Sequence, residues 1–176
     1  YSNNVIISGL SNSKLNIKYG SYNVRAKNSN NVKILNLDIF GGNSGIEISD
    51  TSDVLIQDNL VKGTFDRDWD WADVKEYSQS TMENQGIHIK TNSQNMTNIV
   101  TDSNEVSGYF NSVNYSRDYP PSGTPYYTSN YTVDNSVISN NILHDSIDDG
   151  IEIDGRYNNL VVKGNRVYDT YSPFSA

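Results

Sequence analysis

Cysteine is absent from the 176 residues, so a disulfide framework, a zinc–thiolate site and thiol chemistry are all excluded. Basic residues are scarce: 13 Lys and Arg stand against 21 Asp and Glu, giving a net charge of −8. That balance repels phosphate backbones and anionic bilayers, so no nucleic-acid partner is expected. Apolar runs fall far short of the roughly 20 residues a membrane span needs, so no membrane insertion is expected. Tyr1 opens on what reads as structure rather than a signal sequence. Apolar residues reach only 35% and charged residues 19%. Asn, Ser, Asp and Tyr fill the difference, a mixture that suits turns and short strands better than helices. Nucleotide-binding glycine loops, Ser-His-Asp spacing and His-x-x-x-His pairs are also missing.

What is present is repetition. Gly45-Ile46-Glu47-Ile48, Gly86-Ile87-His88-Ile89 and Gly150-Ile151-Glu152-Ile153 share one pattern of Gly, apolar, charged, apolar, with Asn23-Val24-Arg25-Ala26 as a weaker copy. A short polar link leads from each to a new apolar segment, such as Val32-Lys33-Ile34, Val54-Leu55-Ile56 and Leu160-Val161-Val162. An Asn corner follows, at Asn59, Asn104, Asn141 and Asn165. Alternation with period two predicts strands. The 22-residue step from Val32 to Val54 predicts one turn of a coil with three short strands. Stacked coils put like residues about 4.8 Å apart, letting the Asn residues bond along the corner while Ile and Val fill the interior.

On these positions the chain resembles the pectin-lyase-like superfamily, which includes polysaccharide lyases and polygalacturonase-like glycoside hydrolases. The resemblance implies an all-β, right-handed parallel β-helix of about six coils, beginning near residues 3, 30, 52, 95, 135 and 158. The expectation is one domain over 1–176, secreted or at the cell surface, in keeping with the sequons at Asn95, Asn114 and Asn130. Neither end carries an obvious cap, so further β-helix coils or another chain are expected there.

Two rungs exceed the 22-residue step, at about 64–83 and 107–131, and both insertions are expected at the same corner. Long loops on a rigid scaffold are where binding and catalysis concentrate. The first holds Asp66-Arg67-Asp68-Trp69-Asp70-Trp71-Ala72-Asp73; the second holds Tyr109, Phe110, Tyr115, Arg117, Tyr119, Tyr126 and Tyr127. Aromatic faces stack on sugar rings while carboxylates and Arg bind hydroxyls and uronates, so Trp69, Trp71, Asp73, Tyr115 and Arg117 are candidate substrate contacts. Asp70 is a candidate catalytic partner. No cofactor is required, although the acidic run has the oxygen ligands to gather Ca2+. Anchoring of the loop by the two Trp residues is the simpler alternative.

Because the Ile residues point inward, the residues between them face out. One outward column reads Arg25, Glu47, His88, an interrupted rung and Glu152; a second reads Lys27, Ser49, Lys90 and Asp154. Glu47, Lys90 and Arg156 join the candidate binding residues, and His88 the catalytic ones. A ladder of exposed ion pairs, worth ~0–1 kcal/mol each, is the bland reading. The densest signal is His144-Asp145-Ser146-Ile147-Asp148-Asp149-Gly150-Ile151-Glu152-Ile153-Asp154. Crowded carboxylates raise one another's pKa, which keeps one protonated as a general acid. Asp148-Asp149 before the strand also resembles the Asp-Asp pair of the polygalacturonase family, which implies acid and base roles for Asp148 and Asp149. That family's Gly-His-Gly and Arg-Ile-Lys have no counterpart here. A turn shaped by Asx hydrogen bonds is the structural alternative.

Three functions follow. The first is hydrolysis of an acidic or amino-sugar-containing polysaccharide by Asp148, Asp149 or Glu152, for which carboxyl separations of ~6.5–9.5 Å indicate inversion and ~5–5.5 Å retention. The second is β-elimination on a uronate polymer, with His88, Lys90 or Arg117 as base. The third is non-catalytic carbohydrate binding by a surface adhesin.

Overall fold

The computed structural model describes residues 3–9, 15–18, 20–64, 84–117 and 131–176. The chain is all-β, with no helix among the described residues. The first strands are β1 (Asn3–Ser8), β2 (Leu15–Lys18), β3 (Tyr22–Lys27), β4 (Asn30–Leu35), β5 (Leu37–Phe40) and β6 (Ser44–Ser49). Then come β7 (Ser52–Gln57), β8 (Leu60–Lys62), β9 (Gln85–Thr91), β10 (Met96–Thr97), β11 (Ile99–Asp102), β12 (Glu105–Ser107) and β13 (Asn111–Arg117). The series closes with β14 (Val133–Asp134), β15 (Val137–Ser139), β16 (Ile142–Asp154), β17 (Tyr157–Asn158), β18 (Val161–Lys163) and β19 (Arg166–Ser175).

Pairing among these strands is parallel throughout. One sheet runs β1-β4-β7-β11-β15-β18, and a small one runs β10-β14-β17. The largest runs β2-β5-β8-β12-β16-β13-β9-β6-β3, with β19 on β16. Its two rows meet at β16, whose N-terminal part pairs β12 and whose C-terminal part pairs β13. The register confirms the inward positions read from the repeat. Val32 sits beside Val54 and Val54 beside Ile99; Ile39, Val61, Val106 and Leu143 align in turn; and Ile46, Ile87, Val113 and Ile151 form a third column. All of these are buried. Each apolar side chain withdrawn from water contributes about 1.5–3 kcal/mol, and only its neighbours along the column complete that burial.

The Asn corner has a specific cause. The residue before each corner position holds a left-handed backbone: φ is 57° at Asp58, 55° at Ser103 and 54° at Asn140. Short polar side chains tolerate this conformation best among non-glycine residues. The turn exposes backbone groups that the Asn side chains then satisfy. Asn104 Oδ1 accepts from Asn59 N at 3.1 Å and Asn59 Nδ2 at 2.9 Å, while Asn104 Nδ2 donates to Ile56 O at 3.0 Å. The same pattern links Asn104 to Asn141 and Asn141 to Asn165.

The glycine that opens the repeated segment answers a packing demand. A Cβ on Gly45 would lie 2.4 Å from Val61 Cγ1, and one on Gly86 would lie 2.3 Å from Val106 Cγ1 and 2.5 Å from Ser112 O. Any larger residue would drive into the core column of the preceding row.

Two expectations about the loops need correction. The second insertion does not start at Ser107, because Asn111–Arg117 is β13, a full strand between β9 and β16. Nor do the insertions share a corner. The first leaves β8 and re-enters at β9, whereas the second leaves the C-terminal end of β13 and returns at β14. They therefore depart from opposite edges of the row formed by β3, β6, β9, β13 and the C-terminal half of β16.

Candidate functional site

That row carries three columns. The first, two residues before the inward Val24, Ile46, Ile87 and Val113, reads Tyr22, Ser44, Gln85 and Asn111. It meets the outward residues at its two ends, where Arg25 lies over the Tyr22 ring and Asn111 bonds Glu152. The second reads Arg25, Glu47, His88, Asn114 and Glu152, and the third Lys27, Ser49, Lys90, Ser116 and Asp154. Asn114 and Ser116 thus fill the rung that the sequence reading left interrupted. Their signal was Val113-Asn114-Tyr115, alternation without the Gly-Ile motif.

Polar side chains along this row are unusually well buried. Glu47 is 1% exposed, Asn114 6%, Gln85 8% and Asp149 6%. Burying a charge is tolerated only with partners, and Glu47 has three basic neighbours. Its Oε1 lies 2.7 Å from Arg25 Nε, without the alignment of a hydrogen bond; its Oε2 lies 3.5 Å from Lys90 Nζ and 4.0 Å from His88 Nδ1. On its other side, His88 Nε2 shares a hydrogen bond of 2.7 Å with Ser116 Oγ. Burial, with Lys90 nearby, pushes the imidazole pKa down to about 3. His88 is therefore neutral at physiological pH.

The acidic end of the row is organised by Asn111. Its Oδ1 accepts the Asp149 backbone N–H at 3.0 Å, and its Nδ2 donates to Glu152 Oε2 at 2.7 Å. Asn114 Nδ2 donates to the same carboxylate oxygen. Between Ser146 and Asp149 the pairing of β16 with β19 shifts register. Irregularities of this kind re-aim side chains. Here the Asp148 backbone turns to Phe110, whose carbonyl accepts its N–H at 2.9 Å. Burial, helped by the charge of Asp149, raises the Asp148 carboxyl to about 6. Asp148 thus holds its proton two pH units above an ordinary aspartate, the property a general acid needs.

The other expected residues divide into three groups. Tyr115 is corrected: it faces inward, is 0% exposed, and its hydroxyl lies 3.1 Å from Thr101 Oγ1. Burial raises its hydroxyl pKa, and no sugar can stack on it. Tyr109 is likewise interior, donating to Gly41 O at 3.0 Å, and Phe110 is 7% exposed. Asn114, the acceptor of one sequon, is only 6% exposed. Arg156 is exposed just past β16, near the end of the third column. Trp69, Asp70, Trp71 and Asp73 lie outside the described residues, as does the side chain of Arg117. The acidic run proposed for Ca2+ lies there too; among the described residues no group of three or more His, Asp or Glu is arranged to hold a metal ion.

Sequence reasoning missed Asn111, Asn114 and Ser116. All three fall inside what read as a loop, and only the alternation around Val113 could have revealed them.

No protein-family model matches this chain, and neither a curated protein nor a solved structure does.

Proposed function

We propose that the chain is a stretch of right-handed parallel β-helix of the pectin-lyase-like kind, secreted or displayed at a cell surface, and that it hydrolyses an acidic polysaccharide. The observation carrying this reading is the bridge made by Asn111. It ties the backbone of the Asp148-Asp149 segment to the Glu152 carboxylate. A carboxyl that keeps its proton to about pH 6 therefore belongs to the same strand as one carboxylate, that of Glu152, held by two amide donors. That division of labour is the one glycoside hydrolysis requires: Asp148 protonates the leaving oxygen, while Asp149 or Glu152 acts as base or nucleophile.

One observation favours β-elimination as a second reading. His88 is neutral, bonded to Ser116 and close to Lys90, a proton acceptor beside a cation as abstraction next to a uronate carboxylate needs.

The test is incubation of the protein with polygalacturonate and with neutral and amino-sugar polymers, following reducing ends and unsaturated-uronate absorbance together. Hydrolysis releases reducing ends without absorbance, and Asp148→Asn should cut the rate by about 10²-fold or more. Absorbance that vanishes in His88→Gln would establish elimination instead. Binding without either product would establish a lectin-like module.

A further inference from the structure

The three columns are polarised. They begin at Tyr22, Arg25 and Lys27 and end beside Asp149, at Glu152 and at Asp154. The asymmetry extends to the sequence: residues 1–37 hold five Lys or Arg and no acid, so they carry +5, leaving −13 for the rest of a chain of net −8. We propose that Tyr22, Arg25 and Lys27 form a subsite for an anionic sugar, one bearing a carboxylate or sulfate, at the far end of the row from the acids. This rests on the hydrolase reading for its direction along the row, although the anion site stands on its own geometry.

Arg25 is held for the task. Its Nε meets the buried Glu47, its guanidinium lies 4.4 Å from the centroid of the Tyr22 ring, and its side chain remains 40% exposed. A guanidinium fixed from behind by a carboxylate and from the side by an aromatic face loses little freedom on binding an anion, and its planar fork matches carboxylate and sulfate oxygens. Tyr22, 44% exposed, offers a ring to a sugar face beside that charge. Lys27, two residues on along β3, is exposed and adds a second cation.

From Arg25 to Glu152 there are four register steps, about 19 Å at ~4.8 Å per step, so the cations hold an anionic unit well away from the acids.

The experiment measures affinity calorimetrically for galacturonate oligomers of about three and about seven units, dextran sulfate and a fully methyl-esterified polymer. Lys27→Glu and Tyr22→Ala are the main variants, since Arg25→Gln also strips a partner from Glu47; thermal melts confirm folding. Lys27→Glu should weaken both galacturonate oligomers at least tenfold, leave the methyl-esterified polymer within twofold, and reduce the dependence on salt. Binding of dextran sulfate as well as galacturonate shows that charge suffices; galacturonate alone shows carboxylate selectivity. Equal affinity of wild type and both variants for the long oligomer would overturn the subsite, as would an oligonucleotide that displaced the glycan. Anion binding through these residues without product release would refute the hydrolase reading and leave the subsite intact. Cleavage indifferent to Tyr22 and Lys27 would do the reverse.

Discussion

Replacing Asn104 with Ala tests the physical basis of the stacked corner. Asn104 is 1% exposed; its Oδ1 accepts from the Asn59 backbone N–H, and its Nδ2 donates to Ile56 O. Alanine leaves both backbone groups buried without those partners. Each such orphan costs about 1–3 kcal/mol, so the substitution should destabilise by about 2–6 kcal/mol, a large fraction of the ~5–15 kcal/mol that holds a typical domain folded. Asn59 Nδ2 keeps its bond to Ile34 O and adds little to this sum. Asn165 makes the matching contacts to Asn141, yet it is only half-buried. Water can replace the lost side chain there, so Asn165→Ala should cost under about 1 kcal/mol. Urea denaturation monitored by circular dichroism gives both values, with the midpoint shifting at constant slope. Equal costs for the two substitutions would refute the idea that desolvated backbone groups, rather than the Asn–Asn bonds alone, make the corner essential.

Asp148 should destabilise the fold as pH rises. Its folded carboxyl titrates near 6 against 3.8 unfolded, so the stability it confers at low pH is lost between about pH 4 and pH 6. Asp148→Asn should therefore melt higher than wild type at pH 7 and no higher at pH 3. His88 has the opposite sense: a pKa near 3 folded against 6.5 unfolded means that stability falls as pH drops from about 6.5 toward 3. With only two histidines in the chain, the NMR titration is readily assigned, and the His88 ring signals should stay fixed from pH 8 to pH 5. Gly86→Ala should cost at least about 1–3 kcal/mol by overpacking against Val106, with a lowered melting temperature as the readout.

The parts of this architecture that each rung repeats were readable in the sequence, because stacking imposes the same demand on every copy. Asn59, Asn104, Asn141 and Asn165 stood out for that reason, and their side chains form the ladder expected of them. β13 stayed hidden because its rung solves the packing problem differently. Tyr115 takes the place that Ile48 and Ile89 hold in the preceding rungs, and Thr101 replaces the Ile of its own column to make room for the ring and bond its hydroxyl. A compensated pair of this kind cancels in three dimensions but breaks a one-dimensional pattern. The acids at β16 were visible as a cluster, whereas the Asn111 bridge joining them depends on a strand 38 residues earlier for Asp149, which no local motif records.

The parallel register also fixes how the molecule should respond to force. Successive strands of the first sheet are joined by ladders running from β1 through to β18, so tension between residues 3 and 163 loads the ladders one after another. Such a structure opens like a zipper rather than shearing as a block. Where rungs are 22 residues apart, as at Val32 and Val54, each rupture would release about 75 Å of contour length at ~3.3–3.6 Å per residue. A single-molecule trace would then show regular teeth, with longer ones where the two insertions are paid out.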